Sequence, residues 1–413
     1  MQNINISSKR TLKSFFFYLF CFFPIFLVSG PFLPDLSLTL IIAYFLISIL
    51  IKKEFYLFKN SFFVIFSLFY IYIFLNSVFV SGEFLSIKSS STYLRFGLFV
   101  LAISYLISNN FNKINYFLIS LLVTFLILFI DSIFQKIFGF NIIGLKMITT
   151  TRVSSFFGDE LILGSFIIKF LPILIALVYF SKFKKKEIIS IIILLASLVP
   201  IILSAEKAAI LTYLIFFFLF VLVTRLKLVN KLMLIFSLVI LISSILYSNQ
   251  NIKKRLIDNL ISNSQGGKYI FSQVHESHFK TAFNMFLDKP ITGHGPKMFR
   301  IKCSDEKYQY DQLGCSTHPH NYYLQLLSET GLLGFSFLLL FYILILKNFI
   351  KQIYLFFKKQ EINYTNYFLT CSLLLLFLPI SVSGNFFNNW LAIIYSLSLG
   401  FFNFFNNLNL SNK

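Results

Sequence analysis

Residues 161–180 read LILGSFIIKFLPILIALVYF, twenty residues that carry a single charge, at Lys169. The hydrocarbon core of a bilayer is about 30 Å thick and is crossed by a helix of about 20 apolar residues. The stretch therefore predicts a membrane-spanning helix. Spanning β-strands are excluded, because a membrane barrel is built from short segments of alternating polarity rather than continuous apolar runs.

Similar runs recur along the whole chain, and together they predict an all-α polytopic membrane protein with about twelve transmembrane helices. Polar or charged residues separate the runs, and the seventh and eighth could also form one hairpin. The twelve predicted spans are 14–30, 34–51, 61–81, 94–109, 114–135, 161–180, 187–204, 208–224, 231–248, 331–347, 366–383 and 386–405.

The composition agrees with this class. Hydrophobic residues make up 57% of the 413 residues and charged residues only 13%, whereas a soluble domain carries about 25% charged residues. An ordinary soluble enzyme is therefore excluded. The net charge of +20 would suggest nucleic acid in a soluble protein, but here it must first be divided between the two sides of a membrane.

Alternate connections between the spans carry most of the positive charge. One set of connections holds nineteen Lys and Arg residues and three Glu residues, a net charge of +16. The positive-inside rule places this set, with both termini, in the cytoplasm. The other face keeps a net charge of +4 and the longest polar connection, and we expect the chemistry there. The cytoplasmic set is Lys9, Arg10, Lys13, Lys52, Lys53, Lys59, Lys113, Lys182, Lys184, Lys185, Lys186, Arg225, Lys227, Lys231, Lys347, Lys351, Lys358, Lys359 and Lys413.

The longest polar connection, 249–330, predicts a small domain on the outer face. It divides the chain into spans one to nine (1–248), the loop domain (249–330) and spans ten to twelve (331–413). Apolar spacing predicts a short loop helix over 275–288, followed by a Gly-His-Gly-Pro turn at 293–296. Cys303 and Cys315 lie in this loop and could form a disulfide on an oxidising face, with two unpaired thiols as the alternative.

The densest group of polar residues is CSTHPHN, at 315–321. A neutral imidazole near pH 7 is the commonest general base, so His318 and His320 are candidate catalytic residues. A metal site is the weaker interpretation, because Pro319 separates the two and no clear carboxylate partner accompanies them. A structural role for His320 in capping the following helix remains open.

Cations on the outer face form a second group of candidates. Arg152 precedes the sixth span, Lys207 follows Glu206 in the hairpin between spans seven and eight, and Arg300 follows the turn at 293–296. Ionisable residues at a membrane boundary are costly unless they are paired or functional. Lys169 either lines a polar cavity or extends its long side chain to the interface. Outward cations with an outward histidine suit a lipid-pyrophosphate substrate, and a transporter is the competing class.

One element connects the sequence to a known family. His320-Asn321, nine residues, and Gly331-Leu-Leu-Gly334 resemble the His, polar residue, nine residues, Gly-x-x-Gly motif of the O-antigen ligase and polymerase family of membrane glycosyltransferases. The turn at 293–300 (GHGPKMFR) and the stretch 152–158 (RVSSFFG) are similar to two further family patterns. The strong motifs cover only about 290–335.

The resemblance implies a GT-C-type fold and glycan transfer from undecaprenyl pyrophosphate without a metal or other cofactor. It implies His320 as the catalytic residue that activates an acceptor hydroxyl, with His318, Asn321, Gly331 and Gly334 as its supporting motif. Arg152, Lys207 and Arg300 would bind the pyrophosphate. Lys207 stands where the family commonly has Arg. Lysine keeps the positive charge but cannot donate two hydrogen bonds at once to a phosphate, as the arginine guanidinium does. For a second loop cation the choice between Arg300 and Lys280 remains open.

These implications predict an O-antigen ligase in the bacterial inner membrane, with its active face in the periplasm. Its partners would be an undecaprenyl-pyrophosphate-linked glycan donor, a lipid A core acceptor and membrane lipids, but no nucleic acid. A polymerase with a lipid-linked glycan acceptor is the closest alternative. An oligosaccharide transferase acting on protein is a further alternative, and a polysaccharide or lipid transporter belongs to a different class.

Overall fold

The computed structural model of the protein describes residues 2–258 and 271–411. These residues form helices and no β-strand, with two isolated bridges in the connection between the fifth and sixth predicted spans. Residues 259–270 of the predicted loop domain, and Lys413 of the predicted cytoplasmic set, lie outside the described part. The helices up to the loop domain are α1 (Gln2–Cys21), α2 (Phe23–Val28), α3 (Phe32–Lys52), α4 (Ser61–Asn76), α5 (Phe84–Ser91), α6 (Leu94–Asn109), α7 (Asn115–Phe138), α8 (Leu163–Phe180), α9 (Lys186–Leu203), α10 (Lys207–Val223) and α11 (Leu228–Ser248).

The loop domain and the last spans supply six more helices. A single turn, α12, continues into a π-helical turn at Lys254–Asp258, and the predicted loop helix is present as α13. The remaining helices are α12 (Gln250–Lys253), α13 (Gln273–Asp288), α14 (Phe299–Lys302), α15 (Tyr322–Phe357), α16 (Tyr364–Leu376) and α17 (Asn389–Ser411).

Every predicted span corresponds to a helix of this structure, which confirms an all-helical polytopic membrane protein. Among the described residues, nine helices are long and apolar enough to cross a membrane, and three shorter apolar helices occupy the remaining predicted runs. The shorter ones are Leu12–Cys21, Lys207–Val223 and Tyr364–Leu376.

The first predicted span, 14–30, is divided between α1 and α2. Two later spans also differ from the helices that form. The helix predicted over 331–347 begins earlier, at Tyr322, and bends at Gly331. The helix predicted over 366–383 ends at Leu376, and residues 377–388 are irregular. Pro379 explains this end, because proline lacks an N–H donor and disfavours a helical conformation in the residue before it. Both differences lie beside the candidate site.

Helix α8 forms the centre of the bundle. Nearly all of its side chains are buried, and it packs most closely against α16, α9 and α10. Helix α17 packs against α6 and α16. Because apolar side chains cover α8 on every side, it is buried in the manner expected of a helix that is hydrophobic all round.

The ends of α7, α9 and α11 meet on one side of the bundle. The Val153 backbone N–H, in the connection after α7, donates to the Leu203 carbonyl at the end of α9 (3.0 Å). Arg255, in the turn after α12, donates from Nε to the Ala205 carbonyl (3.2 Å). The connection that carries Arg152 and the start of the loop domain therefore lie on the same face of the protein.

Candidate active site

His320 occupies a fixed position at the entrance to α15. Asn321 is the N-cap of this helix, and its Oδ1 accepts from the N–H groups of Tyr323 (3.0 Å) and Leu324 (3.1 Å). His320 itself has φ = 57°, an unusual value for a residue other than glycine. Its carbonyl accepts from the Ser383 N–H (2.8 Å). The helix cap and this hydrogen bond hold the backbone that carries the imidazole.

Four of the five histidines of the chain surround one point. The ring centroid of His320 lies 4.0 Å from that of His318, 5.1 Å from His275 and 5.4 Å from His278. His275 and His278 are three residues apart on α13 and therefore share a face of that helix. The sequence analysis placed only His318 and His320 at the site, although this spacing on the predicted loop helix was a usable indication of the other two.

Burial, more than the proximity of the imidazoles to one another, lowers the pKa values of all four. Burial, followed by the neighbouring His318, His275 and His278, lowers the pKa of His320 to about 3. Burial likewise lowers the pKa of His318 to about 4, with Arg300 adding to the effect. The pKa values of His275 and His278 are also lowered, mainly by burial. A neutral imidazole has one nitrogen free to accept a proton, which is the state a general base requires.

Gly331 is where α15 bends. Its backbone angles, φ = 64° and ψ = −169°, belong to a region that is essentially restricted to glycine. A Cβ atom at this position would lie 2.2 Å from the Ile291 carbonyl oxygen. The bend leaves N–H groups free, and the Leu332 N–H donates to the Pro290 carbonyl (2.8 Å). The second half of the Gly-x-x-Gly motif is equally tight, because a Cβ on Gly334 would lie 2.1 Å from Thr330 Oγ1.

The Gly-His-Gly-Pro turn at 293–296 packs directly on this bend. The N–H groups of His294 and Gly295 donate to the carbonyls of Ser328 (3.1 Å) and Glu329 (2.7 Å). Gly293 has φ = 65°, and a Cβ there would lie 2.5 Å from backbone atoms of Glu329 and Thr330. The two glycine motifs that the sequence analysis treated separately therefore form one interlocked unit.

A buried polar network inside the nine-residue spacer of the motif holds this unit together. Glu329 is fully buried, and its carboxylate accepts from the N–H groups of Lys297 (2.9 Å) and Phe299 (3.1 Å). Gln325, one helical turn earlier, donates to both Glu329 Oε2 (3.0 Å) and Asn385 Oδ1 (3.0 Å). Sequence reasoning missed both residues, although a Gln and a Glu four residues apart in an apolar helix share one face.

The turn anchored by Glu329 presents Arg300 near the histidines. Arg300 is exposed and close enough to His318 to lower the pKa of that imidazole. Lys297 lies nearby, and burial with the neighbouring Arg300 lowers its pKa. Lys280, the alternative loop cation, instead contacts Tyr310, with its Nζ 3.0 Å from the tyrosine hydroxyl. The structure thus brings Arg300 to the histidine cluster and places Lys280 against Tyr310.

A second group of cations surrounds the hairpin between α9 and α10. Arg152 donates to the carbonyls of Ser204 (3.1 Å, from Nε) and Leu161 (2.7 Å, from Nη2). Arg255 donates to the next carbonyl of the hairpin, that of Ala205. Lys207 is exposed and follows immediately. The sequence analysis missed Arg255, which approaches Arg152 and Lys207 closely enough to influence the pKa of Arg152.

Glu206 neutralises part of this group and also caps a helix. Its Oε1 accepts from the Gly164 N–H (2.8 Å) and its Oε2 from the Ser165 hydroxyl (2.5 Å), at the start of α8. A carboxylate at a helix N-terminus is favoured by the helix dipole. Lys169, one turn further along α8, is close enough to Glu206 for a Coulombic attraction. Lys169 therefore has a charged neighbour within the protein.

The connection that carries Arg152 is fixed by two buried polar residues of α7. Asp131 accepts from the Ile142 N–H (2.8 Å) and from the Ser155 hydroxyl. Gln135 Oε1 accepts from the N–H groups of Ser154 (3.1 Å) and Ser155 (2.6 Å). These hydrogen bonds satisfy backbone groups that irregular structure would otherwise leave unpaired. Arg152 is therefore held by a defined backbone.

The irregular segment 377–388 runs between the two groups. Its Ser383 N–H bonds to His320, and Asn321 Nδ2 donates to the Pro379 carbonyl (2.8 Å). Directly after it, the Trp390 ring packs against Phe157, in the connection that carries Arg152, with ring centroids 6.3 Å apart. The histidine cluster and the hairpin cations thus lie on the same side of the protein and are joined by one segment.

The loop domain has a small core of its own. Ala282, Met285, Phe299, Cys303 and Tyr308 pack together, and Cys303 and Cys315 are bonded, with Cα atoms 4.9 Å apart. The fifth histidine, His294, is buried in this core and its Nε2 lies 3.0 Å from the Met285 carbonyl. It thus has a structural position rather than one in the cluster.

A metal centre is not formed by these groups. Among the described residues, no set of three or more His, Cys, Asp or Glu side chains is arranged to hold a metal ion.

Comparison with known proteins agrees with the motif. Residues 191–339 match the family model Wzy_C, described as O-Antigen ligase. The matched range, less than half of the chain, runs from α9 through the loop domain into α15. It contains Lys207, Arg300 and the motif from His320 to Gly334, so the resemblance inferred from these residues is confirmed. A search of curated proteins gives no significant match.

Proposed function

We propose that this protein, a member of the O-antigen ligase and polymerase family, transfers a glycan from a polyprenyl pyrophosphate to an acceptor hydroxyl. The preferred acceptor is a sugar of the lipid A core, which makes the activity O-antigen ligation. In this reaction the hydroxyl oxygen bonds to the anomeric carbon while the bond from that carbon to the pyrophosphate breaks. The hydroxyl proton passes to His320, and polyprenyl pyrophosphate leaves.

The observation that carries the proposal is the rigid mounting of a neutral His320. His320 precedes α15, and its backbone is fixed by the Asn321 cap of that helix and by the hydrogen bond from the Ser383 N–H of segment 377–388. General base catalysis depends on a group held within hydrogen-bonding reach of the reacting proton. This mounting therefore supports a catalytic role better than a transport role, which would not require an outward base.

The nearby cations supply what the leaving group needs. Arg300 lies beside the histidine cluster, while Arg152, Lys207 and Arg255 surround the hairpin on the same side. Positive groups aimed at developing negative charge stabilise a transition state without reorganisation. We assign these four residues to the pyrophosphate of the donor.

The low pKa of His320 has a consequence for the order of events. A base with a pKa of about 3 is weak, and proton transfer is most effective when the pKa lies near the working pH. A bound pyrophosphate would raise this pKa, because a neighbouring negative charge favours the imidazolium ion. The proposal thus gives the donor a second role, in which its binding strengthens the base that activates the acceptor.

The test is transfer in vitro with purified protein, a glycan-linked polyprenyl pyrophosphate and lipid A core. We expect His320→Ala to lower the rate by about 10²–10⁴-fold, the usual contribution of a general base. His275→Ala is the matched control, since it removes an imidazole from the same cluster and should cost far less. Full transfer by His320→Ala would contradict the proposal.

A deletion strain separates ligase from polymerase. If the protein is a ligase, lipopolysaccharide from the deletion strain should show no long-glycan bands on a gel, and lipid-linked polymer should accumulate. Core that carries a single repeat unit would instead identify a polymerase. Loss of lipid-linked glycan from the outer face of the membrane would support a transporter and contradict the proposal.

A further inference from the structure

A cavity opens at the end of α8 that is remote from Arg152. It has a volume of about 560 Å³ and lies between the end of α8, the start of α9 and the start of α16. Because α8 crosses the bundle, this cavity is on the face opposite the histidine cluster. Nothing in the proposed reaction uses it.

The lining of the cavity is strongly basic. Lys184, Lys185 and Lys186 follow one another along it, and the first two are exposed. Lys186 Nζ donates to the Tyr179 carbonyl (2.6 Å), so this cation is fixed at the wall. Glu187 is the acidic member of the lining. Three lysines against one glutamate leave an excess of positive charge facing the cavity.

Two helix N-termini add to the preference for an anion. Helix α9 begins at Lys186, and the residue before it, Lys185, makes no side-chain cap to the free N–H groups. Helix α16 begins at Tyr364, where Asn363 caps the Asn366 N–H. Free N–H groups and the helix dipole make such termini favourable positions for a phosphate.

Two stacked tyrosines form one wall of the cavity. The rings of Tyr179 and Tyr364 stack with centroids 4.9 Å apart, and both residues line the cavity. The Tyr179 hydroxyl has no accessible surface, so it lies behind this wall rather than facing a ligand. The tyrosines therefore supply a wall of the cavity, and the lysines supply its charge.

Apolar side chains at the rim indicate what kind of anion fits. Phe183 and Ile188 both line the cavity, and they are 41% and 53% exposed. Exposed apolar side chains beside lysines, at the ends of membrane-spanning helices, match a molecule with a phosphate and hydrocarbon chains. Basic pockets between transmembrane helices are a known form of lipid headgroup site.

We propose that this cavity binds the phosphate of an anionic phospholipid, with Lys184 and Lys185 as the main cations. The acyl chains would lie along Phe183 and Ile188. This site is separate from the proposed glycan transfer, because its residues belong to the other face of the bundle.

The experiment is native mass spectrometry of the full chain released from nanodiscs that contain equal amounts of phosphatidylglycerol and phosphatidylcholine. The wild-type protein should retain phosphatidylglycerol preferentially. The double variant Lys184→Gln, Lys185→Gln should reduce that preference about 30-fold, since each basic group near the surface contributes about 1 kcal/mol.

The matched control is Lys358→Gln, Lys359→Gln. These are also two adjacent exposed lysines of the predicted cytoplasmic set, but they do not line the cavity. The control should retain the wild-type preference, and an equal loss would overturn a specific site in favour of general surface charge. Displacement of the lipid by millimolar inorganic phosphate would overturn the lipid assignment, because a free anion would then suffice.

Discussion

The replacement Gly331→Ala tests whether the bend in α15 is what positions His320. The backbone of Gly331 lies in a conformation that costs other residues about 1–3 kcal/mol. The new methyl group would also sit 2.2 Å from the Ile291 carbonyl oxygen, which belongs to backbone rather than to a movable side chain. Overpacking of this kind costs about 1–3 kcal/mol, so we expect a total of about 2–6 kcal/mol.

Gly139→Ala is the control that separates the cost of a strained backbone conformation from the cost of a steric clash. Gly139 also has a positive φ, 80°, but a Cβ there would meet nothing within 4 Å. Gly139→Ala should lower the free energy of unfolding by about 1–2 kcal/mol through backbone strain. About 0.4–1 kcal/mol of this loss is offset, because alanine reduces the conformational entropy of the unfolded chain. Gly331→Ala should therefore be clearly the less stable of the two variants.

The assay is thermal unfolding of both variants in the same detergent, followed by glycan transfer below the unfolding temperature. We expect Gly331→Ala to unfold several degrees lower than Gly139→Ala. We also expect its transfer rate to fall about 100-fold, because a displacement of about 1 Å at a catalytic group has this effect. Equal unfolding temperatures and equal transfer rates would refute the role given to the bend.

Three further predictions concern the loop domain and the cations. Cys303→Ser, which opens the loop disulfide, should lower stability by about 2–3 kcal/mol, and wild-type protein treated with reductant should show the same shift in unfolding temperature. The free energy of unfolding should be greatest above pH 6.5 and decline as the pH falls. The folded pKa values of His318 (about 4) and His320 (about 3) lie below the unfolded value, so the unfolded chain takes up protons first. His318→Gln should make stability less dependent on pH when unfolding is measured across this range. Arg255→Ala should raise the KM for the lipid-pyrophosphate donor, whereas the control Lys254→Ala, at the neighbouring residue, should change it little. Similar kinetics for the two variants would show that Arg255 is not part of the donor site.

The membrane architecture could be predicted from the sequence because each span needs only a long apolar run. The limits of the spans were less accessible. The run at 366–383 is apolar throughout, yet α16 ends at Leu376. The residues beyond it are held by polar contacts to α15, such as Ser383 to His320. Pro379 marks this end locally, but the contacts that fix the residues beyond it join segments distant in the chain and leave no trace in a local apolar pattern.

The candidate site was predictable where one motif carries it and not where several segments contribute. His320 and the two glycines of its motif could be placed by spacing alone. Arg255 could not, because it lies in a polar stretch beside two other cations, Lys253 and Lys254, and only the fold brings it to the hairpin. Glu329 stands in a spacer whose residue types the motif leaves open, and its role depends on backbone N–H groups thirty residues away.

The structure gives a physical reason for the fixed length of that spacer. The helical turns between Asn321 and Gly331 rise about 15 Å, since each residue adds about 1.5 Å. At one end the cap fixes His320, and at the other the bend receives the turn that carries Arg300. Each added or removed residue would rotate one end by about 100° relative to the other, as 3.6 residues complete a turn. The spacer therefore sets both the distance and the angle between His320, the proposed base, and Arg300, which we assign to the leaving group. A flexible loop of equal length could not fix either quantity.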